Sequence, residues 1–449
     1  MQSVCLRNWI GVVVAVAFSQ TLEAQVGSPA GPVPVEILTA RRQAIMAAMG
    51  SGVAVFGSAE VRTIEADGSH PQDSEFRQDN DFFYLTGLET PDSWLVLVAR
   101  PDSAGTAVLF LPPRDSAAER WTGPKLGPGA EAEALTGIET VLPATDAERE
   151  ITRLVFGSRS AAWTGGMYVR RGHGRPDAEA ELVRELVFRS TGRPLPVHDL
   201  GYVIAQERLV KDDDELRRMR RAIDITAEAQ REALRIIQAG MWEYEIEAVI
   251  EYTFRRNGAE RVGFPSIVGA GVNSTTLHYD KSRGLLEDGD LIIMDVGAEF
   301  GYYSADVTRT APVSGRFTER QRALYELVLA TQQTAIDSVR PGVTVGDLNR
   351  ISRTYMSEHS GDLCQPTDCN RFYVHGLSHW LGMDVHDVGD YSTPLAQGMV
   401  LTIEPGIYLP DERIGIRIED DVLVTETGHE VLSAASPRSV EDIESLMYR

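Results

Sequence analysis

Four carboxylates set inside apolar runs constrain this chain more than any other feature. Residues 291–310 read LIIMDVGAEFGYYSADVTRT, and residues 401–424 read LTIEPGIYLPDERIGIRIEDDVLV. An acid buried among Ile, Leu and Val is costly unless it is paired, so a fold that buries these segments must also supply compensating charge. Each segment reads as an antiparallel hairpin. In the first, apolar runs flank Phe300-Gly301, and Asp295 and Asp306 are equidistant from a turn centred there. The spacing predicts that the two aspartates face each other, with Cβ atoms about 5 Å apart. In the second, Glu404 and Glu419 are equidistant from a turn at Asp411-Glu412, although Pro405 and Gly406 are able to shift that register. Like charges at such spacing repel unless a cation lies between them. The aspartates alone could be surface acids pointing apart; two pairs with the same arrangement point to one shared site.

Residues 374–389, VHGLSHWLGMDVHDVG, hold three of the nine histidines: His375, His379 and His386. A lone histidine is more often packed or solvated than functional, whereas three in an apolar, Gly-punctuated stretch point to chemistry. His278, in GVNSTTLHYD, is a weaker candidate. Four ionised carboxylates balance two divalent cations, and one neutral imidazole completes a five-residue ligand set dominated by oxygen. That donor set favours Mn2+, Co2+ or Zn2+ over copper or a thiolate-bound metal. Two such ions can share a bridging water and lower its pKa. The remaining histidines are then free to bind developing negative charge or to handle protons. The residues point to metal-assisted hydrolysis.

The rest of the chain frames this site. Its 449 residues suggest two or three domains. Arg7, the apolar run Ile10–Phe18 and the small residue at Leu22-Glu23-Ala24 read as a secretory signal over residues 1–24, which makes the mature protein exported and soluble. No later segment is long and apolar enough for stable membrane insertion. Gln25–Pro34 is a Gly/Pro-rich lead-in. A helix over Val35–Met49, strands at Val53–Phe56, Trp94–Val98 and Val108–Leu111, and helices near Asp146–Val155 and Glu179–Phe188 predict an α/β domain. The domain boundary falls in Pro194–Val210. Beyond it, Lys211–Gln238 is a helix whose acids Asp212–Glu215 read as a solvated first turn. Further helices are expected at Tyr244–Asn257 and Thr318–Ser338. With 43 Lys+Arg against 66 Asp+Glu, the net charge is −23, which disfavours nucleic acid as a partner. After signal removal only Cys364 and Cys369 remain, in CQPTDC, and an oxidising compartment permits a disulfide loop there. A C-x4-C pair alone makes a poor zinc site.

The ordered Asp, Asp, His, Glu, Glu set resembles that of the pita-bread metallopeptidases, the family of methionine aminopeptidase, prolidase and aminopeptidase P. HGLSHWLGMDVHDVG, TIEPGIY and GIRIEDD resemble its proline-peptidase branch, and FRQDNDFFYLTGLETPD (Phe76–Asp92) resembles the signature of the aminopeptidase P N-terminal domain. The resemblance runs from about residue 36 to the C-terminus. It implies an α/β N-terminal domain over residues 36–200 and an α+β pita-bread catalytic domain, creatinase/methionine aminopeptidase-like, over residues 210–449.

Position by position, the resemblance implies that Asp295, Asp306, His379, Glu404 and Glu419 are metal ligands, with Asp306 bridging. Glu404 is also the implied proton carrier for a hydroxide that bridges the metals. His278, His375 and His386 match outer histidines that hold the substrate and its tetrahedral intermediate, and Arg417 matches an arginine beside the metals. The implied cofactor is two divalent ions, Mn2+ first, with Zn2+ or Co2+ as alternatives. The implied activity is that of an Xaa-Pro aminopeptidase, acting on peptides with proline at the second position, in a homo-oligomer (dimer or tetramer). Prolidase, which takes Xaa-Pro dipeptides, shares every ligand and is the alternative; a non-catalytic pita-bread binding protein is the second. The short Glu404–Glu419 spacing, the CQPTDC insert and the export signal depart from the family pattern. The spacing suggests a trimmed hairpin.

Overall fold

The computed structural model describes residues 29–63, 74–157, 166–170, 177–189 and 196–447. The expected signal segment, residues 1–24, lies outside the described residues. The chain divides into two compact units, up to Glu207 and from Arg208 onward.

The first unit is built on a six-stranded sheet. Helix α1 (Val35–Met49) leads into β1 (Gly52–Gly57), followed by β2 (Trp94–Arg100), β3 (Ser103–Leu111), β4 (Thr140–Pro143), β5 (Gly166–Val169) and β6 (Val197–Asp199). The spatial order is β4-β3-β2-β1-β5-β6. β1 to β3 form an antiparallel meander, and the outer pairs are parallel. All six residues of β1 are buried, which its unbroken apolar sequence allows only with both sheet faces covered. Helices α2 (Asn80–Thr86), α3 (Ala147–Gly157) and α4 (Asp177–Arg189) also belong to this unit. Ile151 and Val155 of α3 and Leu182 and Leu186 of α4 pack on Val53, Val55, Val96 and Val98. Within the Phe76–Asp92 segment, Asp79 caps α2 by accepting the Phe82 N–H at 2.8 Å, and Arg170 binds Asp79, Asp81 and Glu179.

The segment read as a domain boundary contains a helix, α5 (Gly201–Leu209). In the second unit α6 (Asp213–Ile236) and α7 (Glu243–Arg256) precede the hairpins, and α8 (Glu319–Ile336) and α9 (Val345–His359) lie between them. Asp212 and Glu215 form a capping box that starts α6. The expectation of a solvated first turn is corrected here. Asp214 and Glu215 are buried, because this end of α6 packs on the first hairpin. Asp214 pairs with Arg217 and Arg218, and Glu215 accepts the Tyr303 hydroxyl at 2.9 Å.

The first hairpin comprises β8 (Leu291–Val296), β9 (Ala298–Phe300), β10 (Tyr303–Ser304) and β11 (Val307–Pro312), with β7 (Ile267–Ala270) against β8. Its turn is one residue later than the spacing predicts. Phe300 pairs with Tyr303, and Gly301 and Tyr302 both have positive φ (57° and 74°), as a two-residue primed turn requires. Asp295 consequently faces Thr308 and not Asp306. Moving a turn by one residue moves every partner by two, which preserves the face. Asp306 is therefore diagonal to Asp295 on the same side of the hairpin.

The second hairpin has the predicted register. Strands β12 (Val400–Ile403) and β13 (Gly406–Leu409) pair with β15 (Asp420–Val424) and β14 (Ile414–Arg417), and β16 (His429–Val431) extends β15. Ile403 faces Asp420 and Gly406 faces Arg417, so Glu404 lies opposite Glu419. The hairpin is short, closed by a 3-10 turn over Pro410–Glu412 and by Arg413 at φ 58°. A disulfide joins Cys364 and Cys369. Among the described residues, no helix is long and apolar enough to cross a membrane.

Candidate metal centre

The two hairpins meet along Thr308–Thr310. The Glu419 N–H donates to the Thr308 carbonyl at 3.1 Å, and the Arg417 N–H donates to Thr310 Oγ1 at 3.1 Å. Thr308 Oγ1 donates to Glu419 Oε2 at 2.6 Å. This seam brings the acids of both hairpins to one place. The histidine segment runs beside β12: the Thr402 N–H donates to the His379 carbonyl, and the Glu404 N–H to the Leu377 carbonyl.

His379 is the hub. Its Nε2 lies 3.3 Å from Asp306 Oδ2, 3.7 Å from Glu404 Oε1 and 3.9 Å from Glu419 Oε1. Its Nδ1 lies 3.1 Å from the Trp380 carbonyl, which can only accept. Nδ1 therefore carries a proton, and Nε2 is the nitrogen turned toward the carboxylates. Ligand atoms of Asp306, His379 and Glu419 all lie within 4.8 Å of one another. Asp295 joins through the guanidinium of Arg417, whose Nη2 donates to Asp295 Oδ2 at 2.6 Å. Asp295 Oδ1 and Asp306 Oδ1 are buried with no hydrogen-bond partner among the described residues.

The electrostatics match this crowding. Burial, reinforced by Asp295, holds the Asp306 carboxyl well above the ordinary carboxylate range. Burial and the neighbouring Asp306 do the same for Glu419. Glu404 is pushed up to about 7, mainly by burial, with His379 and Arg417 opposing. Two acids with unmet oxygens, crowded with two more around one imidazole nitrogen, fit divalent cations bound by hard oxygen and one imidazole.

The outer residues differ in what they can offer. His375 spends both nitrogens on the protein: Nδ1 lies 2.7 Å from the Gly376 carbonyl and Nε2 lies 2.8 Å from the Tyr408 hydroxyl. Arg417 Nη1 donates to that hydroxyl at 2.8 Å, so the Tyr408 proton points to His375. The chain of bonds runs from His375 through Tyr408 and Arg417 to Asp295. Burial and then Arg417 lower the His375 pKa to about 4, keeping the ring neutral. His386 stands beside His379, with ring centroids 4.1 Å apart, and its pKa is lowered by burial and by that neighbour. His278 is exposed on the loop that follows Gly271–Thr275.

Sequence reasoning missed Thr308, Tyr408 and Glu243. The buried Glu243 accepts from the Ala270 N–H (2.8 Å), Asn273 Nδ2 (2.9 Å), the Tyr279 hydroxyl (2.9 Å) and the Gly284 N–H (2.5 Å), and so shapes the loop that carries His278. Thr308 and Tyr408 lie inside the hairpin motifs and could have been sought there; Glu243 carries no signal beyond being a single acid at a helix start.

The chain that carries this site has known relatives. Residues 217–426 match metallopeptidase family M24, and residues 38–163 match the aminopeptidase P N-terminal domain. The chain belongs to metallopeptidase family M24, in its aminopeptidase P group. The Xaa-Pro aminopeptidase of Escherichia coli K12 is 38% identical over 431 residues, covering 91% of this chain and 96% of its own. That of Haemophilus influenzae is 35% identical, covering 92% and 97%. Among solved structures, E. coli aminopeptidase P with the inhibitor Pro-Leu superposes with a TM-score of 0.85 at 34% identity, covering 93% of this chain and 99% of that one. Proline aminopeptidase P II from Yersinia pestis gives a TM-score of 0.83 at 35% identity, covering 92% and 99%.

Proposed function

We propose that this metallopeptidase is an exported Xaa-Pro aminopeptidase with two divalent ions, Mn2+ first among the candidates, and that it works as a dimer or tetramer. The observation that carries the reading is the convergence of Asp306, Glu404 and Glu419 on Nε2 of His379, with Asp295 held by Arg417. Asp295, Asp306, His379, Glu404 and Glu419 would hold the ions. Bound there, the ions supply Lewis acidity and lower the pKa of a water at neutral pH.

The remaining steps fall to the chain's own side chains. Glu404, whose carboxylate stands among the ligands beside His379, would take a proton from the attacking water and return it to the leaving proline nitrogen. His386 and His278 are the histidines left to hold the peptide and its developing oxyanion. His375 acts at one remove, because both its nitrogens are occupied, keeping Tyr408, Arg417 and Asp295 in line.

The test is product analysis with the Mn2+-loaded protein on an Xaa-Pro-Xaa tripeptide and an Xaa-Pro dipeptide. Release of the N-terminal residue from the tripeptide is expected. Cleavage of the dipeptide alone would make the protein a prolidase, and no cleavage of either would overturn the enzymatic reading.

A further inference from the structure

We infer that Arg208 and Lys211 are positioning residues for catalysis: acting through Asp387, they fix the segment that presents His386 beside the metal ligands. The inference rests on the reading above, in which His386 meets the substrate. Residues 381–389 form neither helix nor strand. A functional side chain on such backbone needs a second set of contacts to hold it to a fraction of an ångström.

The contacts come from a buried ion cluster. Asp387 Oδ1 accepts from Arg208 Nη2 at 2.6 Å, and Oδ2 accepts from Lys211 Nζ at 3.1 Å. The side chains of Arg208, Lys211 and Asp387 are 3%, 0% and 1% exposed. Arg208 Nη2 also reaches Asp384 Oδ2 at 3.0 Å, so one guanidinium grips the chain on both sides of His386. Lys211 Nζ donates a further bond to the Arg208 carbonyl at 2.8 Å, which ties the two cations together. The Asp387 N–H donates to the Trp380 carbonyl at 2.9 Å, so the residue after His386 is pinned next to the residue after His379. The carboxylate folds back over its own loop so closely that a Cβ at Gly382 would lie 2.0 Å from Asp387 Oδ2. The base of the clamp is fixed too, since the Lys211 N–H donates to the Gly398 carbonyl at 2.9 Å, just ahead of β12.

A buried ion cluster is a poor means of stabilising a fold, because desolvation offsets most of its attraction and apolar isosteres often serve as well. Geometry is what this one supplies. Its loss should reach activity through the placement of His386, and misplacement of about 1 Å can cost roughly 10²-fold in rate.

The test uses the full mature chain loaded with Mn2+. Lys211→Met and Arg208→Lys are each made in the wild-type and in the His386→Ala background. Tripeptide kcat/KM, metal stoichiometry and thermal melting are measured for all. In the wild-type background each change is expected to lower kcat/KM by about 10- to 100-fold with metal content unchanged. In the His386→Ala background the same change should matter less than about twofold, because the residue it positions is gone. Equal losses in both backgrounds, or no loss in the first, would overturn the inference. If Lys211→Met does not fold, Arg208→Lys carries the test with the charge retained. Failure of Arg208→Lys to fold would show a purely structural cluster and also refute it. Normal turnover in His386→Ala alone would instead remove the role of His386 in the underlying mechanism, and the inference with it.

Discussion

Removing the divalent ions by chelation should make the folded protein less stable as pH rises, and the size of the effect follows from the acids at the seam. In the folded chain Glu404 holds its proton up to about 7, whereas in the unfolded chain it releases it near the ordinary 4.5. Between those values the native state binds more protons than the unfolded one, so stability is fully present below the lower pKa and is lost as pH climbs through the higher. At about 1.4 kcal/mol per pKa unit, Glu404 alone accounts for a loss of about 3 kcal/mol across that window. Asp306 and Glu419, held well above the carboxylate range, act in the same direction. Cations remove the effect by taking the place of the protons. The assay is urea unfolding at about pH 5 and about pH 8, with chelator and with Mn2+. Groups elsewhere contribute equally to both series and cancel in the difference. The stabilisation conferred by Mn2+ should be larger at the higher pH by roughly the amount given above. A gap of the same size at both pH values would refute the argument.

Asp306→Asn should abolish peptidase activity in a folded protein and cut metal content, because it removes one charge from the centre of the ligand set; full activity with both metals retained would sink the assignment, as would retained metal in His379→Ala. His375→Ala strands the Tyr408 hydroxyl and the Gly376 carbonyl and removes no ligand atom, so turnover should fall by about 10²-fold while metal stoichiometry stays intact. Near-normal turnover would reject the bond chain to Asp295. Mass analysis of non-reduced mature protein should find Cys364 joined to Cys369 and the chain beginning near Gln25. Two free thiols, or an intact Met1, would each contradict one half of that expectation.

Much of the catalytic unit was legible because burial and alternation leave a coarse mark. The acids of β12 to β15 stand among apolar residues, and a four-residue turn rich in Pro, Asp and Glu announced its own centre, so the pairing of Glu404 with Glu419 could be read from spacing. The first hairpin misled by one residue because a tyrosine at positive φ, Tyr302, is not a residue that signals a primed turn. Parity rescued the face and not the partner. The buried first turn of α6 was misread because a run of four acids ordinarily means solvent, and what reverses that is Arg218 one turn along the same helix together with the tertiary partner Tyr303. Helix α9 was missed altogether: its buried stripe of Val345, Leu348, Ser352 and Met356 keeps helical spacing but is narrow and broken by a serine. The tautomer of His379 and the double occupation of His375 rest on carbonyls and a hydroxyl brought from elsewhere, which no local pattern encodes.

The seam between the hairpins also bears on how the protein comes into being. Thr308 and Glu419, bonded side chain to side chain, are 111 residues apart in the chain, and the donor set is longer still, running from Asp295 to Glu419. Closing so long a loop costs entropy that only neighbouring contacts can offset, so such a junction forms late in folding. A nascent chain therefore has carboxylates and imidazoles but no assembled donor set. Metal binding therefore follows the docking of the last segment, and the divalent cations at hand at that moment compete for the finished site.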